Sequence, residues 1–369
     1  MTDLTIQTSD KGIGIYIRSG SDQTCAICKQ LDRAYGGHSI LTTSGIHAIS
    51  TVTKYAIMKN NWKKLNIICG DEMYCDTTRV FREMGKLYTS IEYNALNVNN
   101  DADIIRAVTN SKNYFTMIFL ESCTNPSGEI VNFDIIKTLK HINPNILVVI
   151  DNTWLTRVIL NPFKYGADIV VQSMSKHYSG GNCISGAVIA KNMNVTSYIA
   201  DMYRFEGIHF SVTYGDIISE NLQSLDYRIQ RLSDTTKKVL QFLNDKAPDI
   251  KLIHPYIKTH NSHSKLVKYF KNDLVPGIIL ISLNIPENIA IKIMKCTPNI
   301  QYKTSFGGSS TKFDPWPFKI DNSTFCRLAI GYDDTYEEIE KSLTKFIDLY
   351  RNNKLAENKS VKIKNKNKK

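Results

Sequence analysis

The sequence predicts an α/β fold in which a large domain built on a parallel-rich sheet precedes a smaller α+β domain. Apolar strand-like runs alternate with amphipathic helix-like segments through the middle of the chain. These runs are apolar throughout, as in parallel strands that helices cover on both faces. After about residue 235 the pattern changes to short strands mixed with helices. The predicted divisions are an N-terminal arm (1–30), a large domain (31–235), a small domain (236–350) and a disordered tail (351–369).

Two helices are predicted near the start of the large domain. The segment CAICKQLDRAYGG (25–37) has the pattern of a helix that ends at glycine, with Cys25 and Cys28 on one face. A turn at Ser44 and Gly45 opens a second helix, whose first backbone N–H groups suit an anion. The C-x-x-C pair lacks the second pair that zinc needs, because the remaining cysteines are scattered. No metal site is therefore expected, and the free thiols are typical of a reducing compartment.

Three buried strands form the predicted centre of the sheet. They are MIFLES (117–122), ILVVID (146–151) and DIVVQS (168–173). Between the first two, VNFDIIKTLKHIN (131–143) has apolar residues on one helical face and ends before Pro144. A strand, a helix and a strand in this order predict parallel pairing.

Polar side chains follow each of these three strands. Glu121 and Asp151 end the first two, and Ser173, Ser175 and Lys176 follow the third. Because ligands of such sheets bind beyond the carboxyl ends of the strands, we expect these side chains to converge. A single loop lysine ordinarily reaches out to water, so Lys176 alone indicates nothing.

The combination fits pyridoxal 5'-phosphate. A lysine amine forms a Schiff base with its aldehyde, while hydroxyls and helix N–H groups hold its phosphate. An aspartate keeps the pyridine nitrogen protonated, so that the ring accepts electrons from a substrate carbanion. Each of these roles has a candidate residue at the predicted sheet edge.

The second half of the chain predicts shorter elements. A long helix is expected around SENLQSLDYRIQRLSDTTKKVLQFLN (219–244). A strand at GIILISLNI (277–285) and helices at ENIAIKIMK (287–295) and TYEEIEKSLTKFIDLY (335–350) complete the small domain. No internal repeat is present.

The net charge of +11 is concentrated at the C-terminal end. Residues 354–369 hold seven lysines and one glutamate, which leaves +6 of the +11 in the tail. Tail binding to nucleic acid is one hypothesis, but no aromatic residues alternate with the lysines to stack on bases, so a solubilising tail is favoured. The start of the chain lacks a signal-peptide pattern, and no apolar run reaches the roughly 20 residues that span a bilayer. We expect a cytoplasmic protein without a membrane partner.

Eight segments resemble, in order, the motifs of the Cys/Met metabolism (transsulfuration) family of pyridoxal-phosphate enzymes. The family includes cystathionine γ-synthase, γ-lyase and β-lyase and methionine γ-lyase. The segments are YIRSGSDQT, TTSGIHAIS, DEMYCDTTRVF, FLESCTNPSG, VIDNTW, QSMSKHYSGG, TSFGGSSTK and CRLAIGYDD. The resemblance runs from about Tyr16 to Asp334 and implies the fold of type I pyridoxal-phosphate enzymes.

The resemblance also implies roles for individual residues. Lys176 and Tyr74 would be catalytic, with Lys176 as the Schiff-base lysine and Tyr74 stacked on the cofactor ring. The other implied cofactor contacts are Asp151 at the pyridine nitrogen, Asn125 near the ring oxygen, and Gly45, Ile46, Ser173 and Ser175 around the phosphate.

Further implied residues concern the substrate and a partner subunit. Arg327, with Ser305 beside it and Asn125 nearby, would bind the substrate α-carboxylate. Tyr16 and Arg18 would reach the phosphate of the neighbouring subunit, which makes a homodimer the minimal active unit. The arm that helps to join dimers into tetramers in this family is short here, which counts against a homotetramer but leaves it as an alternative.

Several positions depart from the family pattern. Tyr74-Cys75-Asp76 replaces its Y-G-G, residues 180–183 replace its G-H-S-D, and Ser310 stands in place of a glutamate. Thr304 matches neither the glutamate frequent in γ-enzymes for cystathionine nor the tyrosine of a β-lyase. These positions border the implied site, so we expect them to affect substrate preference more than cofactor binding.

One arginine distinguishes between the reactions of the family. Arg79 resembles the arginine that γ-synthase and γ-lyase carry shortly after the stacking tyrosine and that methionine γ-lyase lacks. A second cation suits a distal carboxylate, as in cystathionine or a succinylated homoserine. The favoured function is elimination or replacement at the γ-carbon. The alternatives are β-lyase or methionine γ-lyase chemistry, or a cofactor-binding protein with little catalysis.

Overall fold

The computed structural model describes residues 5–8, 14–16, 20–88, 90–315, 318–320 and 323–366. Two compact units are present. The first holds the described residues up to 125, together with 129–226 and 264–273. The second holds 126–128, 227–263 and the described residues from 274 onward. The chain thus changes unit at 226–227 rather than at the predicted 235–236.

The first unit is built on a seven-stranded sheet, which a short antiparallel pair precedes in the chain. Its strands lie in the order β3-β9-β8-β7-β6-β4-β5. The strands are β1 (Thr5–Thr8), β2 (Gly14–Tyr16), β3 (His38–Thr42), β4 (Leu65–Gly70), β5 (Ile91–Leu96), β6 (Thr116–Glu121), β7 (Ile146–Asp151), β8 (Ile169–Gln172) and β9 (Gly186–Ala190). β4 to β8 pair in parallel, whereas β9 runs antiparallel to both β3 and β8. The predicted parallel sheet and its three central strands are confirmed.

Helices alternate with the strands along the chain, and the predicted glycine end of the first helix and the predicted Ser44–Gly45 start of the second are both present. The helices of the chain are α1 (Asp22–Tyr35), α2 (Gly45–Lys59), α3 (Cys75–Leu87), α4 (Asp101–Asn110), α5 (Ile135–Ile142), α6 (Thr156–Ile159), α7 (Met193–Glu206), α8 (Gly215–Gln223), α9 (Leu225–Lys246), α10 (His263–Tyr269), α11 (Glu287–Cys296) and α12 (Tyr336–Lys366). α1 ends at Gly36 in the left-handed conformation, with φ of 73°. The Ser44 hydroxyl accepts the N–H of His47 and caps α2.

The central strands have continuously apolar sequences because their side chains are buried on both faces of the sheet. All six residues of β6 are buried, and Phe119, Val149 and Ile169 are fully inaccessible in the core between the sheet and its helices. Other parts of the protein cover both faces of these strands, so the side chains on each face are apolar. The polar residues that end the strands therefore stand out as candidates for function.

The second unit contains a smaller, mostly antiparallel sheet. Its strands are β10 (Lys251–Ile253), β11 (Ile278–Ser282), β12 (Gln301–Tyr302), β13 (Lys312–Phe313), β14 (Phe318–Ile320) and β15 (Ser323–Ala329). They lie in the order β10-β11-β15-β13-β12, and β14 also pairs with β15. The rings of Phe313 and Phe346 stack 5.0 Å apart and join this sheet to α12. The expected smaller α+β domain is confirmed.

One prediction about a helix is wrong in detail. The long helix expected over 219–244 is divided at Ser224, between the end of α8 and the start of α9. The final helix α12 continues as far as Lys366, into the segment that the sequence predicts to be a disordered tail. That helix contains neither proline nor glycine and is rich in lysine, leucine and glutamate, which favour helical backbone. No helix among the described residues is long and apolar enough to cross a membrane.

Candidate active site

The carboxyl ends of β6, β7 and β8 lie in register, as the strand pattern predicts. Glu121 pairs with Asp151, and Asp151 pairs with Val171 on the next strand. Beyond the strands, the Ser173 N–H donates to the Thr153 hydroxyl at 2.8 Å, which ties the loop after β8 to the loop after β7. The Lys176 N–H then donates to the Ser173 carbonyl at 3.3 Å. The structure therefore brings the backbone that carries Lys176 close to Asp151.

The first residue of α2 packs directly against Ser173. A Cβ atom placed on Gly45 would lie 2.5 Å from the Cβ of Ser173, so only glycine fits this contact. A Cβ on Gly186 would likewise lie 2.4 Å from the Ser44 carbonyl oxygen. The helix N-terminus, where Gly45 and Ile46 lie, is thus held against the hydroxyl-bearing loop. Backbone N–H groups at such a position suit a phosphate.

Ser175 forms a bridge within its own loop. Its hydroxyl donates to the Ser185 carbonyl at 3.0 Å and accepts the Ser185 N–H at 2.9 Å. These bonds hold the loop that contains Lys176 against the start of β9. The predicted contact of Ser175 with a phosphate stays a prediction beside this structural role.

Asp151, which is half-buried, and the buried Glu121 are neighbouring carboxyl groups. Asp151 accepts the Thr153 N–H at 2.9 Å, and Glu121 accepts the Tyr74 N–H at 2.7 Å. Burial raises the pKa of both groups, and the charge of Asp151 raises the pKa of Glu121 further, to well above its ordinary value. Glu121 therefore keeps its proton when Asp151 ionises.

Glu121 also anchors two segments that carry predicted site residues. Besides the Tyr74 N–H it accepts the backbone N–H of Asn125, so one side chain holds the loop after β4 and the loop after β6. This anchoring was not predicted. Its signal in the sequence is an acidic residue at the end of a fully apolar strand, which requires hydrogen-bond partners.

The Tyr74 side chain belongs to a small ionic cluster at the start of α3. The Tyr74 hydroxyl donates to Asp76 Oδ2 at 3.0 Å, and Arg79 Nη1 donates to Asp76 Oδ1 at 2.8 Å. Desolvation, followed by the hydrogen bond and charge of Asp76, raises the pKa of Tyr74 to about 12. The phenol is therefore protonated at neutral pH. The Tyr74 residue is 44% exposed.

A buried polar network that the sequence did not predict lies beside Asp151 and Ser173. Gln172 Nε2 donates to the Tyr35 hydroxyl at 2.7 Å and to the Asn152 carbonyl at 2.8 Å. The hydroxyls of Tyr35 and Tyr178 lie 3.2 Å apart, and all four residues are buried. Three members of the network are close in the chain to predicted site residues. Gln172 precedes Ser173, Asn152 follows Asp151, and Tyr178 lies two positions after Lys176. A glutamine that ends the apolar run IVVQ is the signal that indicates such a network.

Comparison with known proteins identifies the family. The model of the Cys/Met metabolism PLP-dependent enzymes matches residues 2–314. The chain belongs to this family. This match confirms the family that the eight motifs resemble.

Individual members of the family differ in their named activities. The chain is 30% identical over 271 residues to an L-methionine gamma-lyase of Fusobacterium nucleatum subsp. polymorphum, a match that covers 70% of the chain but only 64% of that relative. It is 24% identical to a cystathionine beta-lyase of Coxiella burnetii over 75% of the chain and 69% of that protein. A cystathionine gamma synthase structure from Xanthomonas oryzae pv. oryzae matches with a TM-score of 0.81 at 18% identity, covering 95% of the chain and 93% of that chain. This likeness confirms the fold of type I pyridoxal-phosphate enzymes.

The described residues fit the cofactor that this family uses. Among them, Asp151 is a half-buried, partly desolvated carboxylate without an ion-pair partner, and a protonated pyridine nitrogen is a cation that such a group suits. Lys176 supplies the amine, and the close contact of Gly45 with Ser173 forms a cradle for a phosphate. The individual contacts remain proposals.

Two of the residues predicted to bind the substrate α-carboxylate, Arg327 and Ser305, lie in the second unit, whereas Asn125 lies in the first. Arg327 on β15 is buried and forms an ion pair with Asp314, which the sequence did not predict. Burial lowers the pKa of Arg327, and Asp314 opposes this effect. Ser305 has a φ of 85°, in the left-handed region that non-glycine residues rarely adopt. Such strain is typical of functional sites.

The residues predicted to contact a partner subunit belong to the N-terminal arm. Tyr16 ends β2, and Arg18 lies outside the described residues. Their contact with a neighbouring phosphate therefore stays a prediction.

Proposed function

We propose that this enzyme eliminates or replaces the γ-substituent of a sulfur amino acid, with cystathionine or an O-activated homoserine as substrate. The observation that carries the proposal is the cluster of Tyr74, Asp76 and Arg79, which sets a cation and a protonated phenol side by side. A γ-reaction needs a proton for the leaving sulfur, and a distal carboxylate needs a cation. Both groups lie within six residues of chain, at Tyr74 and Arg79.

Lys176 and Tyr74 divide the proton transfers in this proposal. Bound pyridoxal phosphate supplies an electron sink for the charge that develops on the substrate. The Lys176 amine would hold the cofactor and would also serve as the base for the protons on the α- and β-carbons of the substrate. Tyr74, whose pKa is raised to about 12, keeps a proton to give to the leaving sulfur.

Asp151 and Arg327 hold charge in this proposal rather than move protons. Asp151 is the ionised member of the carboxyl pair, and it keeps the pyridine nitrogen protonated. Arg327, with Ser305 and Asn125, binds the substrate α-carboxylate. Gly45, Ile46, Ser173 and Ser175 would hold the cofactor phosphate. We also propose a homodimer, in which Tyr16 and Arg18 complete the partner's phosphate site.

Product identification tests the reaction. With cystathionine and water, γ-cleavage yields cysteine, 2-oxobutanoate and ammonia, whereas β-cleavage yields homocysteine, pyruvate and ammonia. We expect cysteine as the thiol. If cystathionine is not consumed, O-activated homoserine plus cysteine tests the γ-replacement reaction. Homocysteine as the dominant thiol contradicts the proposal, and bound cofactor without any product from these substrates indicates a cofactor-binding protein instead.

Methionine is the substrate to compare with cystathionine. The similarity to a methionine gamma-lyase over 70% of the chain favours γ-cleavage of methionine as the second candidate. Its products are methanethiol, 2-oxobutanoate and ammonia. Because Arg79 offers a cation that the uncharged end of methionine cannot use, we expect a lower kcat/KM for methionine than for cystathionine. The reverse order identifies methionine as the preferred substrate.

A further inference from the structure

Asp76 is the residue that departs most from the family motif at the Tyr74 turn. The family has glycine where this chain has Asp76, the second residue of α3. An acidic side chain in the first turn of a helix is stabilised by the helix dipole. Asp76 therefore places a negative charge beside Arg79, in a position where the family pattern has no side chain.

Both oxygens of Asp76 are engaged, which fixes the orientation of its carboxylate. Oδ2 accepts the Tyr74 hydroxyl, and Oδ1 accepts Arg79 Nη1. A carboxylate has about four acceptor positions and a guanidinium has five N–H donors, so each group retains capacity for a ligand. The side chains of Arg79 and Asp76 are 64% and 38% exposed, which leaves them accessible.

The possible substrates differ in the charge of their distal ends. A succinyl ester ends in a single carboxylate, which Arg79 attracts and Asp76 repels. The distal amino-acid group of cystathionine carries an ammonium and a carboxylate, and these match Asp76 and Arg79 respectively. A fixed pair of opposite charges thus favours a zwitterionic group and discriminates against a lone anion.

We propose that Asp76 and Arg79 form a mixed-charge subsite that selects substrates with a zwitterionic distal end. The proposal rests on the proposed function, because it places Tyr74 beside the substrate. Asp76 is then a specificity-determining residue, and cystathionine is preferred over O-succinylhomoserine.

Binding measurements on the holoenzyme test the subsite. The change in cofactor absorbance on titration with each amino acid gives a Kd for cystathionine and for O-succinylhomoserine. In Asp76→Asn the Kd for cystathionine should rise by about tenfold, the loss expected for one charge-assisted hydrogen bond. The Kd for O-succinylhomoserine should fall, because the repulsion is removed. Arg79→Gln should weaken the binding of both.

Glu83→Gln is the matched control. It removes one negative charge from the same helix, where Glu83 binds Lys86 and Arg82 on the surface, and it should leave the ratio of the two Kd values unchanged. An equal change of both Kd values in Asp76→Asn overturns the subsite, as does an absence of any absorbance change with either ligand in the unmutated enzyme. If the ratio of the two Kd values shifts in Asp76→Asn but the unmutated enzyme yields β-cleavage products, the proposed γ-reaction is overturned and the subsite is not. If the ratio stays the same in Asp76→Asn and the unmutated enzyme yields γ-cleavage products, the subsite is overturned and the γ-reaction is not.

Discussion

Two parts of the candidate active site differ in how their side chains are held. Beside Asp151, the supporting residues Tyr35, Gln172 and Tyr178 are buried and joined by neutral hydrogen bonds. Around Tyr74, the supporting contacts come from Asp76 and Arg79, which are exposed and charged. The first part is fixed by packing, whereas the second depends on a few surface interactions.

This difference separates cofactor binding from substrate choice. Buried hydrogen bonds are costly to break, so changes beside Asp151 affect folding and cofactor binding together. Exposed ion pairs contribute little to stability, so residues near Tyr74 can vary without loss of the fold. The departures from the family motif at Cys75 and Asp76 lie in this second part.

The largest effect is expected from Lys176→Ala. Without this amine the borohydride-reducible adduct with the cofactor should disappear, and turnover should fall by about 10⁴-fold or more, as when a catalytic nucleophile is lost. Lys64→Ala, which removes an exposed ion pair with Glu92, is the matched control and should leave both unchanged. Mass spectrometry after reduction identifies the modified residue. A reducible adduct that persists in Lys176→Ala contradicts the assignment.

Much of the buried part was predictable from the sequence, and the reason is periodicity. Strands covered on both faces must be continuously apolar, so β7 was predicted with the observed bounds, and the polar residues at the strand ends indicated the site. Gly45 was predicted through the turn that opens α2. The contact of its backbone with Ser173 required the structure, because the two residues are distant in the chain.

The supporting contacts were not predictable, because they depend on side-chain direction. Asp76 stands two residues from Tyr74, yet only the structure shows that it binds both Tyr74 and Arg79. Glu121 was recognised as an acid at the sheet edge, but its role as an acceptor for two backbone N–H groups was not. The break at Ser224 was missed because buried residues keep a helical spacing across it, as Ile218, Leu222 and Leu225 show.

The next largest effect is expected from Asp151→Asn. Asparagine retains the shape of the side chain but cannot keep the pyridine nitrogen protonated, so cofactor should stay bound while turnover drops. We expect a decrease of about 10²- to 10³-fold, the size found when one preorganised charge-stabilising group is removed. Absorbance spectra and kcat measure the two effects separately. Asp134→Asn on the surface is the control, and normal turnover in Asp151→Asn excludes this role.

Tyr35→Phe should sharpen the contrast between the two parts. The change leaves Gln172 and Tyr178 without the hydroxyl they contact, at a cost of about 1 to 3 kcal/mol in the free energy of unfolding. Denaturant unfolding of the holoenzyme measures this loss, and a shift in cofactor absorbance reports on positioning. Tyr114→Phe, at a 60% exposed tyrosine, is the control.

Arg79→Gln at the exposed cluster should change stability by less than about 0.5 kcal/mol. Equal losses in Tyr35→Phe and Arg79→Gln contradict the comparison.

The smallest effect is expected from Glu121→Gln, and its sign depends on pH. The pKa of Glu121 is raised well above its ordinary value of 4.5 in the folded protein, so the unfolded chain releases this proton more readily. Above pH 4.5 this difference increasingly favours unfolding, and it stops growing once the pH passes the folded pKa. Glutamine keeps an oxygen for the Tyr74 N–H and carries no proton to release.

Glu121→Gln should therefore unfold at a higher Tm at pH 7, by about 2 °C, which corresponds to about 1 kcal/mol in a protein of this size. The gain should shrink as the pH falls toward 4.5, because a growing fraction of the unfolded, unmutated chain then has a protonated Glu121. Thermal scans of the apoenzyme between pH 4.5 and pH 8 measure the trend. The opposite trend would be a Tm difference between variant and unmutated enzyme that becomes more negative from pH 4.5 to pH 7. That result shows that Glu121 is ionised and that its two backbone hydrogen bonds stabilise a carboxylate.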